Sequence, residues 1–168
     1  MISFYAVYAV HFHGIGRADA AGLFVACVHL GGISSTLVFG WFNLFPLKYK
    51  YVASKIFALA GIGLVMAADG LSGFLAASVF LGACRGITLF AFSPAVKRLS
   101  GKDDTTDYFA AFPVLTLPMS FGVPFLCGIF LDAAALPGIA AYRAVFASMG
   151  ALILVSMVFL MLTNFGDD

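Results

Sequence analysis

A long uncharged segment constrains this chain more than any other feature of its sequence. Residues 20–47 contain no Asp, Glu, Lys or Arg, and the run ends in Trp41, Pro46 and the two lysines Lys48 and Lys50. An α-helix needs only about 20 apolar residues to cross the hydrocarbon core of a bilayer. An interfacial aromatic residue and a basic anchor follow the apolar run in the order expected at a membrane surface. The segment therefore predicts a membrane-spanning helix.

The composition extends this prediction to the whole chain. Of 168 residues, 62% are hydrophobic and 10% are charged, and glutamate is absent. About a quarter of the residues of a soluble domain are charged. So few polar residues cannot cover a surface that faces water, and lipid must surround most of the chain. The net charge of +1 gives no indication of nucleic-acid binding, and we expect none.

Further apolar segments follow, and the loops between them are short. We predict an all-α polytopic membrane bundle in which residues 1–168 form a single transmembrane domain. The apolar runs are continuous rather than alternating with period two, which favours helices over a β-barrel. The expected elements are an N-terminal half-span over residues 1–12 and full spans over residues 20–42, 51–68, 72–94, 108–131 and 144–165.

Basic residues are distributed unequally between the two sides of this bundle. Six lie in the 43–55 and 97–107 loops, whereas Arg17 and Arg143 lie on the opposite side. Because Lys and Arg are enriched in cytoplasmic loops, we expect both basic loops and the C-terminus in the cytoplasm, in a bacterial inner membrane. Met1 would then begin near mid-membrane, as expected either for a short interfacial helix or for a chain that lacks its true beginning.

Two predicted spans carry small and polar residues on one face at helical spacing. Such residues in a membrane helix point towards protein, because close packing and interhelical hydrogen bonds drive helix association. The second and fifth full spans lack such a face, so we expect them to be peripheral and to face lipid. The face of the first full span comprises Gly22, His29, Gly32, Thr36 and Asn43, and that of the third comprises Ser78, Gly82, Arg85, Leu89 and Phe92.

Two ionisable residues within these spans are candidates for function. A charged side chain at the bilayer centre costs at least about 3 kcal/mol, so Arg85 should face a cavity or a partner. It would either contact an anionic substrate or an ion-coupling network, or tie two helices together through a carbonyl or an acid. His29 would either relay protons or donate one hydrogen bond across a helix interface.

The fourth full span contains Pro113, Pro118 and Pro124, which interrupt the backbone hydrogen-bond ladder and favour kinks. Thr116 and Ser120 lie one turn apart, and we expect them to satisfy backbone groups that the prolines free. Helices kinked in this way often move in gating, although they are also ordinary in membrane proteins.

No residue pattern typical of catalysis or metal binding is present. The three cysteines lie inside apolar runs without Cys-x-x-Cys or Cys/His spacing, so we expect no disulfide, no metal site and no cofactor. The acidic cluster Asp103, Asp104 and Asp107 lies in a polar loop and is better interpreted as solvated, with Asp107 capping the next helix. A membrane-embedded enzyme would need clustered catalytic side chains on facing helices, so we expect no enzymatic activity.

Several segments resemble parts of a known family. The N-terminal stretch FYAVYAVHFHGIG looks like the tail of a span, paired spans are joined by a very short outer turn, and YFAAFPVLTLPMSFGVPFLCGIFLD carries Pro and Gly near its outer end. Together they resemble the C-terminal half of a major facilitator superfamily transporter, with the last stretch similar to helix eleven. The resemblance covers nearly the whole chain and places Met1 inside helix seven.

The segment from residue 40 to residue 50 resembles the cytoplasmic gate loop of that superfamily. Gly40 matches the leading glycine, and Lys48 and Lys50 match the basic end. Leu44 and Leu47 stand where the family has an acid and a second glycine, so the charge lock of the inner gate is incomplete.

The resemblance implies transport of a small solute by alternating access between two six-helix halves. Helices seven, eight, ten and eleven would line the pathway, whereas nine and twelve would face lipid. The expected partners are the lipid bilayer, a small-molecule substrate, and an N-terminal six-helix half or a second copy. The alternatives are a small membrane protein that oligomerises as a structural or pore-forming unit, and a truncated transporter without function. The candidate pathway residues are Arg85, His29, Thr36, Ser78, Thr116 and Ser120.

Overall fold

The fold is a bundle of α-helices. The computed structural model describes residues 2–41, 45–101, 104–133 and 138–162, and these residues contain helices but no strand. All helices but the first are long and apolar enough to cross a membrane. The all-α prediction and the five full spans are therefore confirmed, and the chain is built as an integral membrane protein. The helices are α1 (Ile2–His13), α2 (Arg17–Trp41), α3 (Leu47–Ala67), α4 (Leu71–Ser100), α5 (Thr106–Ala133) and α6 (Gly138–Leu162).

Helix α3 begins earlier than predicted. Its first residue is Leu47 rather than residue 51, so Lys48 and Lys50 lie in helix and not in a loop. Pro46 precedes the helix, and its carbonyl accepts a hydrogen bond from the N–H of Lys50 at 3.2 Å. Proline is tolerated at a helix start because the N–H that it lacks has no partner there.

Helix α4 ends later than predicted. It continues through Pro94 to Ser100, so the first residues of the predicted 97–107 loop are helical. Gly101 then ends the helix with a φ of 61°, a left-handed conformation that glycine adopts without a Cβ clash. The basic side chains at these helix ends define one end of the bundle, here called the basic end.

The most extensive contact in the bundle joins α2 and α4. A Cβ atom at Gly31 would overlap the carbonyl group of Val79, and one at Gly82 would overlap that of Val28. A Cβ atom at Gly86 would likewise overlap the backbone of α2. The two backbones therefore touch without intervening side chains, which is possible because small residues recur every fourth position on both helices.

A buried hydroxyl strengthens the contact between α2 and α4. The side chain of Ser35 is 6% exposed, and its Oγ lies within hydrogen-bond distance of two carbonyl oxygens. These belong to Gly32 of its own helix at 2.9 Å and to Ala83 of α4 at 3.1 Å. Because lipid offers no hydrogen-bond partner, such a donor must be satisfied within the protein.

Helix α3 lies in the interior of the bundle, and the prediction that it is peripheral was wrong. It packs against both α4 and α6. Ser54, Ala58, Gly61 and Val65 are all buried and recur at helical spacing, forming a face of mostly small residues. A Cβ atom at Gly61 would lie 2.8 Å from Cδ2 of Leu81, so α4 approaches this face as closely as its side chains allow.

An aromatic cluster holds α1 against the bundle. The rings of Tyr5 and Tyr8 are fully buried, together with Phe24 of α2, Phe74 of α4 and Phe146 of α6. Tyr5 stacks on Phe24 with ring centroids 5.3 Å apart, and Tyr8 meets Phe146 edge-on at 5.5 Å. The short first helix is therefore packed among three others rather than lying by itself at the interface.

The last two helices contribute least to the core. No residue of α5 is buried, and its aromatic rings meet α4 at Phe92, whose ring centroid lies 4.2 Å from that of Phe112. Helix α6 buries Ala141, Val145 and Phe146 near its start and exposes most of the rest, in keeping with the predicted peripheral position.

We expect Gly31→Ala to destabilise the bundle by about 1–3 kcal/mol, since the added methyl group would force the backbones of α2 and α4 apart. The matched control is Gly22→Ala in the same helix, where no atom lies within 4 Å of the new Cβ. Unfolding followed by circular dichroism in mixed dodecyl sulfate micelles measures both. Equal stability of the two variants would show that α2 and α4 are not in backbone contact.

Candidate functional site

The contact between α2 and α4 leaves an open groove along one side. It encloses about 350 Å³. Buried residues at the contact, Val28, Gly82 and Gly86, form its floor, so the groove owes its depth to the missing side chains of the two glycines. Its remaining lining residues are His29, Gly32, Ile33, Thr36, Leu37, Arg85 and Leu89.

Of the described residues that line the groove, Arg85 alone has a permanent charge. It lies at the middle of α4, a helix of 30 residues, which is about 45 Å long. The hydrocarbon core of a bilayer is about 30 Å thick, so Arg85 lies well inside it. The side chain is exposed at the groove, and within the described part of the chain its guanidinium group has no hydrogen-bond or ion-pair partner. Five N–H donors are thus available in the groove.

His29 and Thr36 lie on the opposite wall of the groove. His29 is the central residue of α2, is exposed, and makes no hydrogen bond with the described residues. The hydroxyl of Thr36 donates to the carbonyl of Gly32 at 2.9 Å, and its oxygen is free to accept. Sequence analysis placed His29 and Thr36 on one helix and Arg85 on another, and the structure brings all three to one groove.

Ser78 was predicted on the same face as Arg85, but the structure places it elsewhere. It is fully buried, and its Oγ lies 2.8 Å from Oη of Tyr5. The Ser78 hydroxyl also donates to the carbonyl of Phe74 at 2.7 Å. Ser78 therefore ties α1 to α4 and does not line the groove.

Thr116 and Ser120 lie on α5, away from the groove. The hydroxyl of Thr116 donates to the carbonyl of Phe112, and that of Ser120 to the carbonyl of Thr116, each at 2.9 Å. Ser120 also lines an apolar crevice of about 380 Å³ that includes residues of α6. A proline frees the carbonyl four residues before it, and neither hydroxyl reaches such a carbonyl. The expectation that they satisfy these groups was wrong, because each hydroxyl bonds back within its own turn.

The residues that resemble a gate loop contact other helices at the basic end. Gly40 lies beside the ring of Phe90, whose Cε2 would be 3.1 Å from a Cβ at that position. Lys48 donates from Nζ to the carbonyl of Met161 at 2.9 Å, near the end of α6 where the helix dipole favours a cation. Lys50 is buried, with Nζ 5.2 Å from the centroid of the Phe90 ring. Of the other positions singled out above, Asn43, Leu44 and Asp103 lie outside the described residues.

An acidic residue caps α5, but it is not the predicted one. The carboxylate of Asp104 accepts a hydrogen bond from the N–H of Thr106 at 3.0 Å, whereas Asp107 lies inside the first turn of the helix. This backbone hydrogen bond lowers the pKa of Asp104 below its ordinary value. The charged carboxylate therefore serves helix initiation.

Sequence reasoning missed two features of the site. Ser35 was not selected, although the spacing Gly31-x-x-x-Ser35 is a small-residue signal for close helix packing. The second feature is a cleft between Lys50 and Arg98, which lie on different helices and far apart in sequence. Only the packing of α3 against α4 brings these two cations to one place.

Comparisons with known proteins give no family assignment. No family model, no curated protein and no solved structure matches this chain. Among the described residues, no group of three His, Cys, Asp or Glu side chains could hold a metal ion, and the three cysteines are free.

Because the hydrogen bond between Tyr5 and Ser78 links α1 to α4, the effects of Tyr5→Phe and Ser78→Ala on the free energy of unfolding should be coupled. We expect a double-mutant cycle to give a coupling of about 0.6 kcal/mol, the average measured for hydrogen bonds between membrane helices. Tyr49→Phe is the control, because that side chain is 57% exposed and should show no coupling to Ser78→Ala. A coupling near zero between Tyr5→Phe and Ser78→Ala would show that this hydrogen bond does not hold α1 against α4.

Proposed function

We propose that this chain forms one wall of a solute pathway in a secondary transporter of the major facilitator type. In this proposal the groove between α2 and α4 faces the solute, and transport involves no covalent chemistry. The observation that carries the proposal is the guanidinium group of Arg85, which is exposed in the groove at the middle of a membrane-spanning helix and has no partner among the residues that the structure describes. The arrangement of the spans and the resemblance of the sequence support it.

The free-energy cost of placing the charge of Arg85 in hydrocarbon argues against a groove filled with lipid tails. An arginine at the centre of the hydrocarbon core costs at least about 3 kcal/mol. Among the described residues that line the groove, none is an acid that would offset this cost. Water or a polar partner in the groove removes the cost, so we infer that this side of α2 and α4 borders an aqueous pathway.

The chemistry of the lining favours an anionic solute. The guanidinium group of Arg85 offers a planar set of N–H donors that fits carboxylate or phosphate oxygens. His29 can donate a further hydrogen bond from a ring N–H, whereas the hydroxyl oxygen of Thr36 can accept one from an N–H or O–H group elsewhere on the solute. Apolar side chains, among them Ile33 and Leu89, would contact the rest of the solute. We propose a small anionic solute on these grounds.

The contact between α2 and α4 suits a mechanism of alternating access. Such transporters rock two rigid halves around a fixed site, so each wall must keep its shape while it moves. Backbone contact at Gly31, Gly82 and Gly86, with the hydrogen bond of Ser35 to α4, would give the groove that rigidity. The second wall would come from an N-terminal six-helix half or from a second copy of this chain.

Thiol labelling tests whether the groove is aqueous. In a background with the three native cysteines replaced by alanine, Leu89→Cys places a thiol in the groove and Leu154→Cys places one on the outer face of α6. These leucines are 66% and 53% exposed, and each lies about one helical turn from the middle of its helix. A membrane-impermeant maleimide reacts with the thiolate, which needs water to form. We expect Leu89→Cys to react about tenfold faster.

Protection from labelling then tests the solute class. A small carboxylate or phosphate that binds Arg85 should slow the labelling of Leu89→Cys, and Arg85→Ala should abolish this protection. Arg85→Lys should retain part of it, because the charge remains and the planar set of donors is lost. Equal labelling of the two cysteines would refute the pathway, whereas fast labelling without protection by any anion would refute only the anionic solute.

A further inference from the structure

The hydrogen-bonding groups of the groove between α2 and α4 differ in kind along its length. Arg85 has only N–H donors, and no described residue accepts a hydrogen bond from it. The hydroxyl of Thr36 donates its proton to the carbonyl of Gly32 at 2.9 Å, so its oxygen presents lone pairs to the groove. An anionic group satisfies Arg85, whereas the oxygen of Thr36 requires a donor. Arg85 and Thr36 therefore fit different groups of one solute.

The proton of Thr36 is held within α2 by the helix itself. A threonine hydroxyl inside a helix commonly donates to the carbonyl four residues before it. Thr88 makes the same hydrogen bond in α4, to the carbonyl of Cys84 at 2.9 Å. Hydrocarbon offers no competing acceptor for this proton. Thr36 thus acts in the groove as an acceptor.

The packing of α2 on α4 places Arg85 between the other two polar residues of the groove. A Cβ atom at Gly86 would overlap the carbonyl of Gly32 and the hydroxyl of Ser35, so Gly86 lies beside that turn of α2. Arg85 directly precedes Gly86 and therefore lies between the levels of His29 and Thr36 along the bundle. His29 and Thr36 are seven residues apart, which is about 10 Å along the axis of α2. The N–H groups of His29 and Arg85 can meet an anion on one side, and Thr36 lies on the side nearer the basic end.

The lining between these polar residues is apolar. Ile33 lies between His29 and Thr36 on α2, and Leu89 follows Arg85 by one turn on α4. Such side chains suit the carbon skeleton of an organic solute and offer nothing to a fully hydrated inorganic anion. An ammonium group as the donor to Thr36 is disfavoured, because Arg85 carries the same charge a few residues away.

We propose that the solute of this groove is a hydroxylated organic anion. Its carboxylate or phosphate binds Arg85 and His29, its carbon skeleton contacts Ile33 and Leu89, and its hydroxyl donates to Thr36. The anionic end points away from the basic end of the bundle. This inference rests on the proposed function, since it concerns the same groove.

Protection of Leu89→Cys from maleimide labelling, in the background without native cysteines, tests the inference with acids that differ only at one end. The acids γ-hydroxybutanoate and ε-hydroxyhexanoate carry a terminal hydroxyl, and pentanoate and heptanoate carry a methyl group in its place. The preference for the hydroxyl is the ratio of the concentrations that halve the labelling rate. We expect Thr36→Val to lower this preference about fivefold for at least one chain length, since it removes one hydrogen bond between neutral groups.

The matched control is Thr88→Val, which removes the same type of hydroxyl from a residue that is not among the described residues lining the groove. It should change the preference by less than about twofold, as expected for a site outside the contact. A preference that Thr36→Val leaves unchanged at both chain lengths, or that Thr88→Val lowers as much, would overturn the inference.

Methyl ethers of the two hydroxy acids give a second measurement that needs no variant of Thr36. The ethers keep the oxygen and lose the donor, so they should protect Leu89→Cys about fivefold more weakly than the hydroxy acids. Equal protection by ethers and hydroxy acids would overturn the inference, and if that protection is lost in Arg85→Ala, the anionic solute of the proposed function stands. Absence of protection by all of these acids would refute both.

Discussion

The structure depends on the direct contact between the backbones of α2 and α4. Helices in lipid gain little from burying apolar surface against each other, since the solvent is as apolar as their side chains. The attraction between the helices must therefore come from close van der Waals packing. Gly31, Gly82 and Gly86 permit such packing because they have no Cβ. Ser35 adds a hydrogen bond across the same contact. The other long helices are arranged around this pair, with α3 packed against α4 and α6 packed against α3.

The same contact explains why a charged residue can be accommodated at mid-membrane. Glycines bring two helices together at their centres and leave a groove beside them, and His29 and Arg85 face that groove from the two sides. The contact that holds the bundle together therefore also determines where the ionisable side chains lie. At the basic end, the packing of α3 against α4 has a comparable effect, because it encloses Lys50 beside Phe90 and opposite Arg98. In both places helix packing positions a charge that neither helix would position by itself.

The helices were predictable from the sequence because hydropathy and length decide which segments can cross a bilayer. The helix ends were less predictable, since α4 continues through Pro94 until Gly101 stops it. Helical periodicity placed His29 and Thr36 on one face of a helix, but the packing of α2 on α4 is what brings Arg85 to the same groove. The interior position of α3 was missed because its buried face is formed by the small residues Ser54, Ala58 and Gly61, which include no charged member to mark the face. Ser78 could not be placed because its partner Tyr5 lies 73 residues away.

The backbone contact itself can be measured directly. Solid-state NMR of the chain in lipid bilayers, with ¹³C at the carbonyl of Val28 and at Cα of Gly82, reports whether these two atoms lie in van der Waals contact. The account predicts a strong dipolar cross-peak between them, since a Cβ at Gly82 would overlap the carbonyl of Val28. Absence of that cross-peak, in a sample whose helices are intact, would contradict the packing of α2 on α4 and with it the groove that contains Arg85.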